Sequence, residues 1–210
     1  MIKFRYALFT FTLSILNIGD AGAISSTPMI LQPQSIYGDT LGVDQFWQKL
    51  KEHCGKTFEG TITSGATAND GFSGKRLVMH VLSCSESQLL IPFNVGENRS
   101  RTWILTKVKD RIELKHDHRH EDGTNDAITM YGGTTTNSGL PGIAVFPADQ
   151  LTIKTIPAAA TNVWWMTINN TTFTYNLRRI GYDRLFTVTF DITKPIEKPL
   201  PSWGWENFKL

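Results

Sequence analysis

Three of the five histidines stand at alternate positions, His116, His118 and His120, inside the string LKHDHRHEDG at residues 114–123. Alternate side chains of an extended strand share one face, so these imidazoles form a ladder that begins beside Ile112 and Leu114. Neutral imidazoles two residues apart suit a transition metal, because a ligand from a neighbouring strand can join them on one ion. His116 and His118 are the candidate metal ligands, with His80 as the candidate third. The full ladder spreads over about 13 Å, too far for all three rings to hold one ion. Two other readings stay open: a general acid or base, and a polar network that packs at a barrel end or touches a ligand.

Other chemistries fit less well. The cupin pattern needs H-x-H, a later glutamate and flanking glycines. Here Glu121 comes one residue early, the upstream glycine is missing, and residues 139–162 contain no histidine. No G-x-S-x-G marks a nucleophilic serine. Glu121 and Asp122 are adjacent, so on a strand they face opposite ways and cannot flank one glycosidic bond. The residues favour binding over catalysis without deciding it.

Trp164 and Trp165 fall on one predicted strand, which sends one ring inward and one outward. With Trp103, Phe93, Phe173, Tyr175, Phe186 and Phe190 they supply the apolar wall of a small-molecule cavity. The candidate ligand-contacting set is His116, His118, Arg119, His120, Tyr131, Trp103 and Trp164.

The elements that must position this set read as follows. Residues 1–23 have the basic start, apolar run and A-G-A ending of a signal peptide, which implies export to the periplasm or the medium. The apolar run is too short to span a bilayer, and no later stretch is long enough. In an oxidising compartment Cys54 and Cys84 most simply form a disulfide. The net charge of +2 is carried by scattered lysines and arginines, which argues against a nucleic-acid footprint. Residues 24–43 read as an extended arm, 44–194 as a single domain, and 195–210 as a Pro-rich then aromatic tail lying over the outside.

Within the domain, residues 44–54 form a helix capped by Asp44, with Phe46, Trp47, Leu50 and Cys54 on one stripe. Strands are expected over 57–63, 76–83, 88–95, 101–108, 111–120, 127–131, 162–168, 172–179 and 185–192. Turn signals separate them, including Asn69-Asp70-Gly71 and Gly132-Gly133. The long break at 132–161 holds one short helix over 147–154 that starts at Pro147. Nine short strands joined by tight turns are best relieved of free edges by closure, so the expected fold is all-β, an antiparallel closed or nearly closed barrel. A barrel of about eight to ten strands holds one small apolar or amphipathic ligand.

The strings GKTFEGTI, RLVMHV, IPFNVGENRSRTWIL, LKHDHRHEDG, ITMYGG, YNLRR and FTVTFDIT, spanning about residues 46–201, resemble a family of secreted bacterial proteins of unknown function. That resemblance implies export and one β domain. A looser likeness is to the calycins, the lipocalin and fatty-acid-binding group, since a helix precedes antiparallel strands and Arg184 opens the last one; the lipocalin G-x-W is missing. The leading expectation is an exported binding protein with a polar His and Arg end to its cavity. The alternatives are a metal-dependent enzyme using His116 and His118, and a structural or host-interaction protein.

Overall fold

The computed structural model describes residues 41–65 and 70–208. The expected signal peptide, most of the expected arm and Asn69 of the first turn lie outside the described residues. The order of elements is α1 (Gly42–Lys51), β1 (Thr57–Ser64), β2 (Leu77–His80), β3 (Ser83–Cys84), β4 (Gln88–Val95), β5 (Asn98–Val108), β6 (Arg111–His118), β7 (Tyr131–Thr134), β8 (Ile143–Pro147), α2 (Gln150–Thr155), β9 (Asn162–Ile168), β10 (Thr172–Arg179) and β11 (Leu185–Asp191).

All eleven strands join one antiparallel sheet, hydrogen-bonded in the order β7-β6-β5-β4-β2-β1-β11-β10-β9-β8, with β3 added beside β4. The sheet curls until its two ends meet, giving the expected nearly closed barrel. The seam between β7 and β8 is held by the start of α2 instead of a ladder. Asp149 N–H donates to the Gly132 carbonyl at 3.0 Å. The Thr152 hydroxyl accepts from Gly132 N–H at 2.7 Å and donates to the Gly132 carbonyl at 2.8 Å. A Cβ on Gly133 would stand 1.8 Å from the Pro147 carbonyl oxygen, so the edges meet this closely only because Gly133 lacks a side chain.

That close approach corrects two expectations. Gly132 and Gly133 lie in a strand and not in a turn, and the strand expected over 127–131 begins only at Tyr131. The expected loop contains β8, whose Ala144 and Phe146 alternate inward. Pro147 ends β8 instead of opening the helix; α2 starts after Asp149, whose carboxylate accepts from Thr152 N–H at 2.8 Å. The expected strand over 76–83 is divided into β2 and β3, and β6 stops at His118, two residues early.

The two ends of the barrel differ. At one end α1 inserts Phe46, Trp47 and Leu50, each at most 1 % exposed, into the core that the inward residues of every strand build. The helix starts two residues earlier than expected and Asp44 does not cap it; its carboxylate pairs with Lys107 at the end of β5. The early start is possible because Gly42 lies against the backbone of Gly139. Lys51 pairs with Glu86, and the Cys54–Cys84 disulfide ties the helix exit to β3. Among the described residues no helix is long and apolar enough to cross a membrane.

Candidate functional site

The other end of the barrel is open and holds a cavity of about 380 Å³. Its apolar wall is Phe72, Trp164, Tyr175, Leu177 and Phe186, with Ile128, Ile156 and Ala159 from the loops. Its polar atoms come from His118, Tyr131, Asp126, Asn162, Arg179 and Arg184. Period-two geometry explains the assembly. On β6, Ile112, Leu114 and His116 are buried in the core and His118 follows at the mouth. On β10, Tyr175 and Leu177 lead outward to Arg179, and on β11 Phe186 lies one step inside Arg184.

His116 lies beneath the cavity. Its Nδ1 is 3.0 Å from the Tyr131 carbonyl and its Nε2 is 2.8 Å from the Tyr175 hydroxyl. A carbonyl only accepts, so Nδ1 carries the proton and Nε2 accepts from Tyr175. Burial pushes His116 down to about 3, against the pull of the Tyr131 carbonyl, so the ring is neutral. Met130 shapes this contact from the backbone: at φ 56° it turns the chain sharply, and its N–H donates to the His116 carbonyl at 2.7 Å. The Tyr131 ring then stacks on His116 with 4.6 Å between centroids.

His118 faces the cavity, sharing a 3.1 Å hydrogen bond between its Nε2 and the Tyr131 hydroxyl. Burial, then the nearby Arg101 charge, lowers it to about 4, while burial raises Tyr131 to about 12. Burial likewise raises Tyr175 well above the ordinary phenol range. The pair of His118 and Tyr131 is therefore uncharged near neutral pH, a set of hydrogen-bonding groups in an aromatic wall.

The remaining candidates are elsewhere. Trp103 is stacked between Phe93 and Tyr175, at 4.7 and 4.4 Å, and supports the cavity floor without lining it. Phe93, Phe173 and Phe190 are core residues. Arg119 is on the outer face, where its Nε donates to Asp117 at 2.8 Å and its guanidinium lies over Trp205. His120 stands beyond β6, its N–H donating to the Thr124 carbonyl in the following turn. Both leave the ligand-contacting set, Arg119 because it continues the outward parity of Lys115 and Asp117 past the end of β6 and His120 because it stands in the turn that follows.

The expected metal set is not assembled. His80 is on the outer face of β2 at the plugged end, where Nδ1 meets the Thr57 hydroxyl at 2.9 Å and the Lys56 carbonyl at 3.2 Å. It is on the opposite side of the sheet from His116, whose own two nitrogens are both engaged. Among the described residues no three His, Cys, Asp or Glu side chains are grouped to hold a metal ion.

Sequence reasoning missed the arginines of the mouth. Arg101, Arg179 and Arg184 each continue the inward parity of a strand, one step beyond Trp103, Leu177 and Phe186, and that parity was the signal available. No family model, curated protein or solved structure matches this chain.

Proposed function

We propose that this chain is an exported protein that binds one small amphipathic molecule in the open end of its barrel. The observation that carries the reading is the asymmetry of the two ends: α1 fills one, and the other keeps an aromatic-walled cavity of about 380 Å³ with a few convergent polar groups. Export is supported by the formed Cys54–Cys84 disulfide, a bond that persists in oxidising compartments. His118 and Tyr131 orient the ligand as neutral hydrogen-bonding groups, and Trp164 and Leu177 cover its apolar part.

Thermal unfolding against amphipathic small molecules tests the reading. A ligand present at about a hundred times its Kd stabilises by about 2.7 kcal/mol, which raises Tm by roughly 5–10 °C for a chain of this size. The rise is expected to vanish in Ala159→Trp, whose indole occupies the cavity. If every ligand class leaves Tm unchanged, the reading fails.

A further inference from the structure

Three guanidinium groups stand at the open end, Arg179 and Arg184 in the cavity lining and Arg101 beside Phe72 of its wall, and none of them forms an ion pair among the described residues. Arg101 is the most enclosed. Its Nη1 donates to Asn98 Oδ1 at 2.9 Å and to Ser100 Oγ at 3.4 Å, and its Cζ is 5.3 Å from the centre of the Phe72 ring. Its Nε and Nη2 have no partner among the described residues. Arg179 Nε donates to Asn162 Oδ1 at 3.0 Å, and Arg184 has no side-chain partner among the described residues.

The chemistry of that arrangement is unusual. Arg184 is exposed and keeps its hydration, but Arg101 and Arg179 are half-buried, and a half-buried guanidinium normally has a carboxylate beside it, because removing the charge from water without one is costly. The carboxylate that lines the cavity is Asp126; its Oδ1 accepts from Ile128 N–H at 3.0 Å and its charge reaches Arg101, but it forms no ion pair with any of the three arginines. A second groove of about 390 Å³ adjoins the mouth, sharing Phe72, Phe186, Arg179 and Arg184 with the cavity and adding Asp70 and Asp183. Asp70 Oδ1 accepts from Phe72 and Ser73 N–H at 2.8 Å. The charges of Arg101 and Arg184 both reach Tyr131 and Tyr175 in the cavity wall.

We infer that the bound molecule is an organic anion, its carboxylate, sulfonate or phosphate group held between Arg101 and Arg184 at the mouth and its apolar part against Trp164, Leu177 and Phe186. The inference rests on the binding reading above and adds the charge of the ligand. Arginine suits this role because its planar fork of donors matches a bidentate oxyanion. Arg179 is oriented by Asn162 and adds its charge from the side of β10.

Three probes of similar skeleton separate the possibilities: 1-anilinonaphthalene-8-sulfonate, which is anionic; N-phenyl-1-naphthylamine, which is neutral; and naphthylmethylammonium, which is cationic. Fluorescence titration of the purified protein is expected to give the anion at least a tenfold lower Kd than the neutral probe, with the cation weakest. A charge-assisted hydrogen bond contributes enough that Arg184→Gln should weaken the anion about tenfold, and adding Arg101→Gln should weaken it further. The neutral probe should bind all these variants alike, and Ile156→Trp should remove binding of both. Equal binding of anion and neutral probe, or an anion Kd unmoved by the arginine substitutions, overturns the inference while leaving the binding reading in place. Failure of all three probes to bind overturns both.

Discussion

Successive residues of β6 place opposite kinds of chemistry on the two faces of one sheet. On the inner face His116 and His118 are neutral rings in an aromatic wall, close to the guanidinium of Arg101, which has no ion-pair partner among the described residues. On the outer face Asp117 is 2 % exposed, yet its charge is fully answered. It accepts from Arg119 Nε at 2.8 Å, from Trp205 Nε1 at 3.0 Å and from Thr129 Oγ1 at 3.3 Å. The C-terminal segment supplies the cover. Ile196 N–H donates to the Thr57 carbonyl, Ser202 Oγ to Asn94 Oδ1, and Trp203 N–H to the Arg99 carbonyl, so the segment crosses β1 to β5 before Trp205 seals Asp117. The outer charges are satisfied within the chain and hold it together. The inner arginines form no ion pair among the described residues, and on the proposal above their partner is an anion from outside.

The comparison breaks first at Asp117. Asp117→Asn keeps the shape and removes the charge, leaving Arg119 beneath Trp205 without its counter-ion. Breaking a buried pair costs roughly 3–5 kcal/mol, and with Arg119 one quarter exposed a loss of about 2 kcal/mol in urea unfolding is expected. A change under about 0.5 kcal/mol, the range of ordinary surface substitutions, would remove the outer face's structural role.

Acid tests the inner face next. His116 and His118 fall from the ordinary 6.5 to about 3 and about 4, so the unfolded chain binds protons that the folded chain refuses. Their contribution is complete above about pH 6.5 and is lost as pH falls toward 4, at about 1.4 kcal/mol per pH unit for each ring. His116→Phe should cost about 1–2 kcal/mol at neutral pH, through the Tyr131 carbonyl and Tyr175 hydroxyl it leaves unpaired. The same variant should flatten the acid slope by about one half, measured as unfolding free energy from pH 7 to 4.5. An unchanged slope would show that His116 takes up its proton in the folded state.

The smallest expected effect sharpens the contrast most. Without ligand, Arg184→Gln should change stability by less than about 0.5 kcal/mol, because Arg184 is exposed and no ion pair among the described residues is lost. A loss of 1 kcal/mol or more by the same urea unfolding would mean that this arginine serves the fold as Asp117 does.

Much of this arrangement was legible in the chain. Alternation from Ile112 to His118 is a local property of extended backbone, so it gave the inward face of β6 without any partner strand. The same rule applied to Arg101, Arg179 and Arg184 would have placed three cations at one end. It failed where distant backbone decides: Gly132-Gly133 resembles a turn, and becomes a strand only because the carbonyl of Pro147 comes up against it.

What the sequence determined by itself was the strand class, the disulfide pair and the side of each strand on which a residue falls, since these follow from period, spacing and the presence of two cysteines. Only the tertiary structure decided which face was then covered, which end was plugged and which charges met. Asp117 and Trp205 are 88 residues apart, and α1 closes one mouth through contacts with strands that arrive much later in the chain. A parity rule assigns a side chain to a face, but burial depends on whatever long-range segment folds over that face.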